Sequence, residues 1–283
     1  MVVEMLINPL KAERHPFEMF FVGLFYASLA CIISLWVFRE NASLLMVFFT
    51  VFASAPFMYY TIKLEEKKDM LPENSETTLL KEHSKALRAF MALFLGITVA
   101  FALWYIFLPA DLSRLLFEVQ SATISEINNA VTGQASGFDI FLRILFNNIK
   151  VLAFCVLFAF VFGLGAIFIL TWNASVIGAA MGNFIRGKLS DLAAVVGSSN
   201  TAHYFHAFSL SILRYAIHGI PEILAYFTGG LAGGIISIAV IRHDFQSEKF
   251  EKIILDSSDL LLISLGILCI AAFLEVFITP LFY

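Results

Sequence analysis

Charge is scarce in this 283-residue sequence: Asp, Glu, Lys and Arg together make up 14% of it, and the formal net charge is −4. Ordinary globular domains carry roughly 25% charged residues. Neither sign is concentrated enough to leave the electrostatic footprint of a nucleic-acid binder. Cysteine is equally sparse. Cys31, Cys155 and Cys269 each sit inside an apolar run, at a spacing that fits no zinc motif and disfavours a disulfide framework; they read as small apolar fillers. No Gly-x-Ser-x-Gly elbow, no His-Glu-x-x-His pair and no glycine loop leading into Gly-Lys-Ser/Thr occurs, so common signatures of serine hydrolases, zinc proteases and P-loop enzymes are missing. The start, Met1 to Glu18, carries Glu4, Glu13 and Glu18 and lacks the charged-then-apolar layout of a cleaved signal peptide. The first apolar run therefore reads as a retained anchor.

What the chain has in abundance is apolar surface. Hydrophobic residues make up 60% of it and Phe alone occurs 31 times, more than the interior of a soluble domain of this length can hide. A helix needs roughly 20 apolar residues to cross a hydrocarbon core of about 30 Å. Six runs qualify: Phe20–Phe38, Leu44–Ile62, Ala89–Leu108, Val151–Trp172, Ile223–Ile241 and Leu260–Phe282. Between the fourth and fifth, Asn173–Gly219 is less apolar and holds either one more span near Ala202–Ile217 or a re-entrant piece. The fold class is thus an all-α polytopic transmembrane helical bundle with six to seven membrane helices. Residues 1–88 form a transmembrane hairpin plus a cytoplasmic linker, and residues 89–283 the remaining membrane domain. The outer segment Ala110–Asn148 carries Leu112, Leu115, Leu116 and Val119 at helical spacing, which predicts an amphipathic helix on the membrane or the bundle, broken at Gly133 and Gly137.

Lys and Arg in short loops set orientation. The linker Lys63–Arg88 carries Lys63, Lys67, Lys68, Lys81, Lys85 and Arg88 and predicts a cytoplasmic N-terminus in a multi-pass protein of the cell membrane. Arg186 and Lys188, then Arg242, Lys249 and Lys252, are expected on that same side.

The densest polar feature in an apolar region runs from His203 to Glu222. On one helix, His203, His206, Arg214 and His218 share a face. Pro221 is expected to end that helix, which leaves Glu222 in the first turn of the next. An ionised group in the bilayer costs ~2.5–3.5 kcal/mol on insertion scales, so Glu222 is expected to pair with Arg214 or His218. The stripe admits three readings: helix packing, a proton or ion pathway, or a metal site. Glu275, near the outer end of the last span, is placed where snorkelling is cheaper. Small-xxx-small spacing recurs at Gly178 and Gly182, at Gly229 and Gly233, and at Gly230 and Gly234, with Gly163 and Gly165 close by in the fourth run. Such residues let helix backbones touch, within one chain or across a homodimer. Asn147, Asn148 and Asn173 read as caps at the two ends of the fourth span.

Taken in order, Phe146-Asn147-Asn148, Gly163 and Gly165, Asn173 with Gly178, the turn His218-Gly219-Ile220-Pro221-Glu222 and the run Gly229-Gly230-Leu231-Ala232-Gly233-Gly234 resemble the stage II sporulation protein M family of membrane proteins, over about residues 89–283. The resemblance implies a multi-span protein. The family's sporulating members hold peptidoglycan-remodelling partners at a septal membrane and are not themselves the hydrolases. It carries no established chemistry onto His218 or Glu222. The leading expectation is a non-enzymatic membrane scaffold or assembly component with no cofactor or metal, set in the lipid bilayer as a homo-oligomer with other membrane or envelope proteins. The alternatives are a transporter or channel subunit using the His203–Glu222 stripe and, third, an intramembrane metalloenzyme.

Overall fold

The computed structural model describes residues 9–69, 76–131, 137–162, 165–196, 201–242 and 248–282, and all regular structure among them is helical. The helices are α1 (Pro9–Arg14), α2 (Pro16–Val37), α3 (Ala42–Asp69), α4 (Glu76–Phe107), α5 (Ala110–Leu116), α6 (Glu118–Val131), α7 (Gly137–Phe162), α8 (Gly165–Val196), α9 (Thr201–Arg242) and α10 (Glu248–Phe273). A π-turn, Leu274–Ile278, and a 3-10 turn, Thr279–Phe282, follow. Among the described residues seven helices are long and apolar enough to cross a membrane: α2, α3, α4, α7, α8, α9 and the last, from Phe250 to Leu281. The chain is an all-α polytopic bundle.

Helix α2 shows how lipid inverts the usual pattern. Pro16 opens it, where its missing N–H leaves no ladder bond unmade. Its small residues Gly23, Ala27, Ala30, Cys31 and Ser34 are buried, while Phe17, Phe21, Phe25 and Trp36 are exposed. With no hydrophobic drive between helices in hydrocarbon, association rests on close packing of small side chains. The large rings are left to the acyl chains. The contact with α4 is backbone on backbone. A Cβ at Gly23 would lie 2.2 Å from the Leu93 carbonyl oxygen, and one at Gly96 would lie 1.9 Å from that of Phe20. Thr50, Thr61 and Thr98 each donate to the carbonyl one turn back, so these three hydroxyls need no partner on another helix.

The amphipathic segment packs on the bundle. Leu116 and Phe117 are fully buried, and the Gln120 amide donates to the Ser43 carbonyl (3.1 Å) and to Ser175 Oγ (3.2 Å), tying α6 to α3 and α8.

Glycine contacts give helix direction. Gly178 meets Phe101 and Ala102, and Gly182 meets Tyr105, so α8 runs parallel to α4. Gly229 meets Leu152 and Val156, and Gly233 meets Val156 and Ala159, so α9 runs parallel to α7.

These directions correct several sequence expectations. The run Val151–Trp172 is not one span: α7 ends at Phe162 and α8 begins at Gly165. Hydropathy measures apolar length and is blind to a turn made within it. Neither Asn173–Gly219 alternative survives, because α8 covers Asn173 to Val196 as continuous helix and Ala202–Ile217 is joined to Ile223–Ile241 in the 42-residue α9. Pro221 lies inside α9 rather than at its end, and Glu222 accordingly sits mid-helix. Neighbouring helices can re-satisfy the backbone that a membrane proline frees. The Asn residues do not cap. Asn147 and Asn148 stand inside α7, and Asn173 stands inside α8, its Nδ2 donating back to the Ile169 carbonyl at 3.0 Å. Arg186 and Lys188, expected beside the basic linker, lie at the opposite end of the bundle. The Arg186 guanidinium bonds the Ile106 carbonyl (3.2 and 3.0 Å) and the Leu108 carbonyl at the far end of α4. The division of the run Val151–Trp172 into α7 and α8 is what sets α8 parallel to α4.

Candidate functional site

The residues of the expected stripe share α9 but not one environment. Phe205 and His206 are exposed near the start of the helix, and His203 is half-buried. Both histidines lie well before the level at which α9 meets the end of the last span. Further along, Arg214 Cζ stands 5.1 Å from the centre of the Phe184 ring on α8 and 5.7 Å from that of Tyr215, a cation–π stack at the α8–α9 contact. His218 Nδ1 lies 3.2 Å from Thr279 Oγ1, whose hydroxyl donates to the Leu274 carbonyl at 3.0 Å. A threonine hydroxyl has one proton to give. His218 Nδ1 therefore carries the hydrogen in this bond, and the ring fastens α9 to the turn after the last span.

Glu222 does not take the partner expected of it. It accepts a hydrogen bond from the Tyr226 hydroxyl, one turn on, at 2.8 Å. The His218–Thr279 bond between antiparallel segments fixes the register: one turn forward on α9 is Glu222, and one turn back on its neighbour is Glu275. Glu222 and Glu275 therefore stand at one level on facing segments. Glu275 belongs to the π-turn Leu274–Ile278, a local widening that recurs at functional positions in helices.

The glycines are spent inside the chain. Gly178 and Gly182 face α4, Gly229 and Gly233 face α7, Gly230 faces Ala166 and Gly234 faces Ile62 of α3. Gly165 is the first residue of α8, and Gly163 lies outside the described residues. Asn147 is exposed, whereas Asn148 is 5% exposed and its Nδ2 has no hydrogen-bond partner among the described residues.

A second cluster escaped the sequence reading. Where α1, α3 and α4 meet, Lys68 Nζ lies 3.0 Å from Glu13, 2.6 Å from Glu65 and 3.6 Å from Glu82. Glu65 also holds His83 Nδ1 at 2.8 Å, and Glu82 pairs with Lys85. Glu65 and His83 are almost fully buried, in a linker read as solvated. Glu13 is raised to about 7, first by burial and then by its hydrogen bond with the Glu65 carboxyl, against the opposing pull of Lys68. The i,i+3 pairs Glu65–Lys68 and Glu82–Lys85 were the available signal; Glu13 is too distant in sequence for any local pattern to find it.

A family model described as Stage II sporulation protein M matches residues 19–280. The match takes in α2 and α3 as well as the region that bears the motifs. Comparison with curated proteins and with solved structures returns no match. The ordered motifs, the seven apolar helices and a match over nearly the whole chain agree: the protein belongs to the stage II sporulation protein M family of membrane proteins.

Proposed function

We propose that the protein is a non-enzymatic membrane scaffold that works in a complex with copies of itself and with other membrane or envelope proteins. The observation that carries this reading is the use to which the α9 stripe is put. Arg214 stacks on α8 through Phe184, His218 grips Thr279 after the last span, and Glu222 is held by Tyr226 of its own helix. The first two of these are ties between elements and the third closes on its own helix, an arrangement that favours the rigid body an assembly platform needs. Because the glycine faces are occupied within the chain, self-association must use another surface.

Crosslinking in mild detergent, with mass measured by light scattering after size exclusion, tests the reading. A mass above one protomer, or co-purifying membrane proteins, supports it, and a strictly monomeric, partnerless chain refutes it. Reconstitution in liposomes separates it from transport. Ion or solute flux that disappears in His218→Ala or Glu222→Gln while the fold persists would replace the scaffold by a transporter.

A further inference from the structure

We propose that Glu222 and Glu275 form a site for a single positive charge, a proton or an alkali cation, held between α9 and the π-turn that ends the last span. The register comes from geometry. His218 is bonded to Thr279 across antiparallel segments, and the two glutamates are the residues one turn inward from each partner. Neither carboxyl has a Lys or Arg ion-pair partner among the described residues, and the one hydrogen bond to Glu222 comes from the neutral Tyr226 hydroxyl. Beside the pair stand His218 and Tyr226 on α9, Tyr226 bonding Glu222 directly, and Cys155 on α7 lies near Tyr226. Arg214 is one turn further out than His218 and is stacked on Phe184. Two neighbouring carboxylates in an apolar bundle cannot both stay ionised and unpartnered. Either one keeps its proton and shares it, or a cation sits between them.

An independent observation points to an occupant. Asn148 is buried, 5% exposed, with Nδ2 unpartnered. It belongs to the α7 stripe of Asn148, Leu152, Cys155 and Ala159, all buried. Leu152 is the residue that meets Gly229. Because α7 and α9 are parallel, one turn back from Leu152 brings Asn148 to the level of Tyr226, whose hydroxyl bonds Glu222. A side-chain amide there offers N–H to a bridging water or, turned over, its oxygen to a cation. Carboxylates, phenol and amide together make a hard oxygen-rich set suited to a proton with water or to a small monovalent ion.

The full-length protein in lipid nanodiscs provides the test. Thermal unfolding is followed across pH 5 to 9 in choline chloride, then with NaCl or KCl at matched ionic strength. The wild type is expected to lose stability as pH rises in choline, and Glu222→Gln and Glu275→Gln are each expected to remove the part of that loss that Glu13→Gln leaves. Protection at high pH by Na⁺ or K⁺, absent in both variants, identifies a cation site. Unchanged behaviour with either salt identifies a proton site. Infrared spectra of Glu13→Gln protein carrying ¹³C-labelled Glu give a readout that leaves the site intact: a protonated glutamate band near neutral pH, or a carboxylate band shifted by NaCl or KCl, is expected. Glu222→Gln and Glu275→Gln proteins with the wild-type pH and salt profile overturn the proposal, as does the Glu13→Gln protein with neither infrared signature.

Discussion

Glycine is informative in this protein only where a neighbour leaves no room for a methyl group. A Cβ at Gly233 would lie 2.6 Å from the Val156 carbonyl oxygen, backbone that cannot step aside, whereas one at Gly219 meets nothing within 4 Å. Gly233→Ala is expected to destabilise by about 1–3 kcal/mol through overpacking. Gly219→Ala, in the family-like His218–Glu222 run, should be neutral or stabilising by up to about 1 kcal/mol, the helix propensity gained. Melting temperatures in one detergent compare the two directly; equal losses would mean that close approach is not what glycine supplies. Sequence spacing found Gly229, Gly230, Gly233 and Gly234. It missed Gly23 and Gly96, which stand singly in their helices and become a pair only when α2 lies on α4. Glu222 and Glu275 were likewise visible one at a time as acids in apolar runs. Their juxtaposition depends on a register that no linear pattern encodes.

Helix α1 is fastened by charge as well as by its buried Ala12. Glu13 fastens it to Lys68 on α3, and the Glu13 carboxyl is raised from 4.5 to about 7. A raised folded value means that the native state binds the proton more tightly than the unfolded chain. That contribution is complete below about pH 4.5 and is lost as pH rises through about 7. Wild-type stability should therefore decline over this window relative to Glu13→Gln, with the difference read from melting temperature against pH; parallel curves would refute the coupling. Arg186 does comparable work at the far end of α4. Its planar fork reaches the Ile106 and Leu108 carbonyls while its face lies over Tyr105. Arg186→Ala is expected to cost about 1.5–3 kcal/mol, the range for hydrogen bonds to a charged group. Arg186→Lys should recover only part of it, since a point charge cannot reproduce the fork. Full recovery by Lys, measured by thermal unfolding, would show that charge alone suffices.

For the whole molecule, composition was enough to read the class, because lipid demands long apolar helices whatever their arrangement. The number of crossings was legible too, but not which segments make them. The division between α7 and α8 falls within a continuous apolar run, and Pro221 falls within a continuous helix, so hydropathy missed one boundary and proline suggested another that is not there. The resulting arrangement makes a prediction. Single cysteines replacing Asn41 and Lys188 should be labelled by an impermeant reagent from one side of the membrane, and those replacing Lys67 and Lys81 from the other. From the excess of Lys and Arg, the second pair is predicted to be the one labelled from the cytoplasmic side. Labelling of Lys188→Cys from the same side as Lys67→Cys would reverse the direction assigned to α8.

The apolar stretch of α9 from Phe205 to Ile241 is 37 residues, about 55 Å of helix, against a hydrocarbon core of about 30 Å. Tilt alone would need roughly 57°, beyond the 0–40° that membrane helices adopt. The surplus must then emerge from the hydrocarbon or distort the lipid beside it. Hydrophobic mismatch of this size makes the protein sensitive to bilayer thickness. Thicker membrane would immerse more of the Phe205, Phe208 and Ile212 surface, giving a physical basis for sorting this chain into one region of a membrane rather than another.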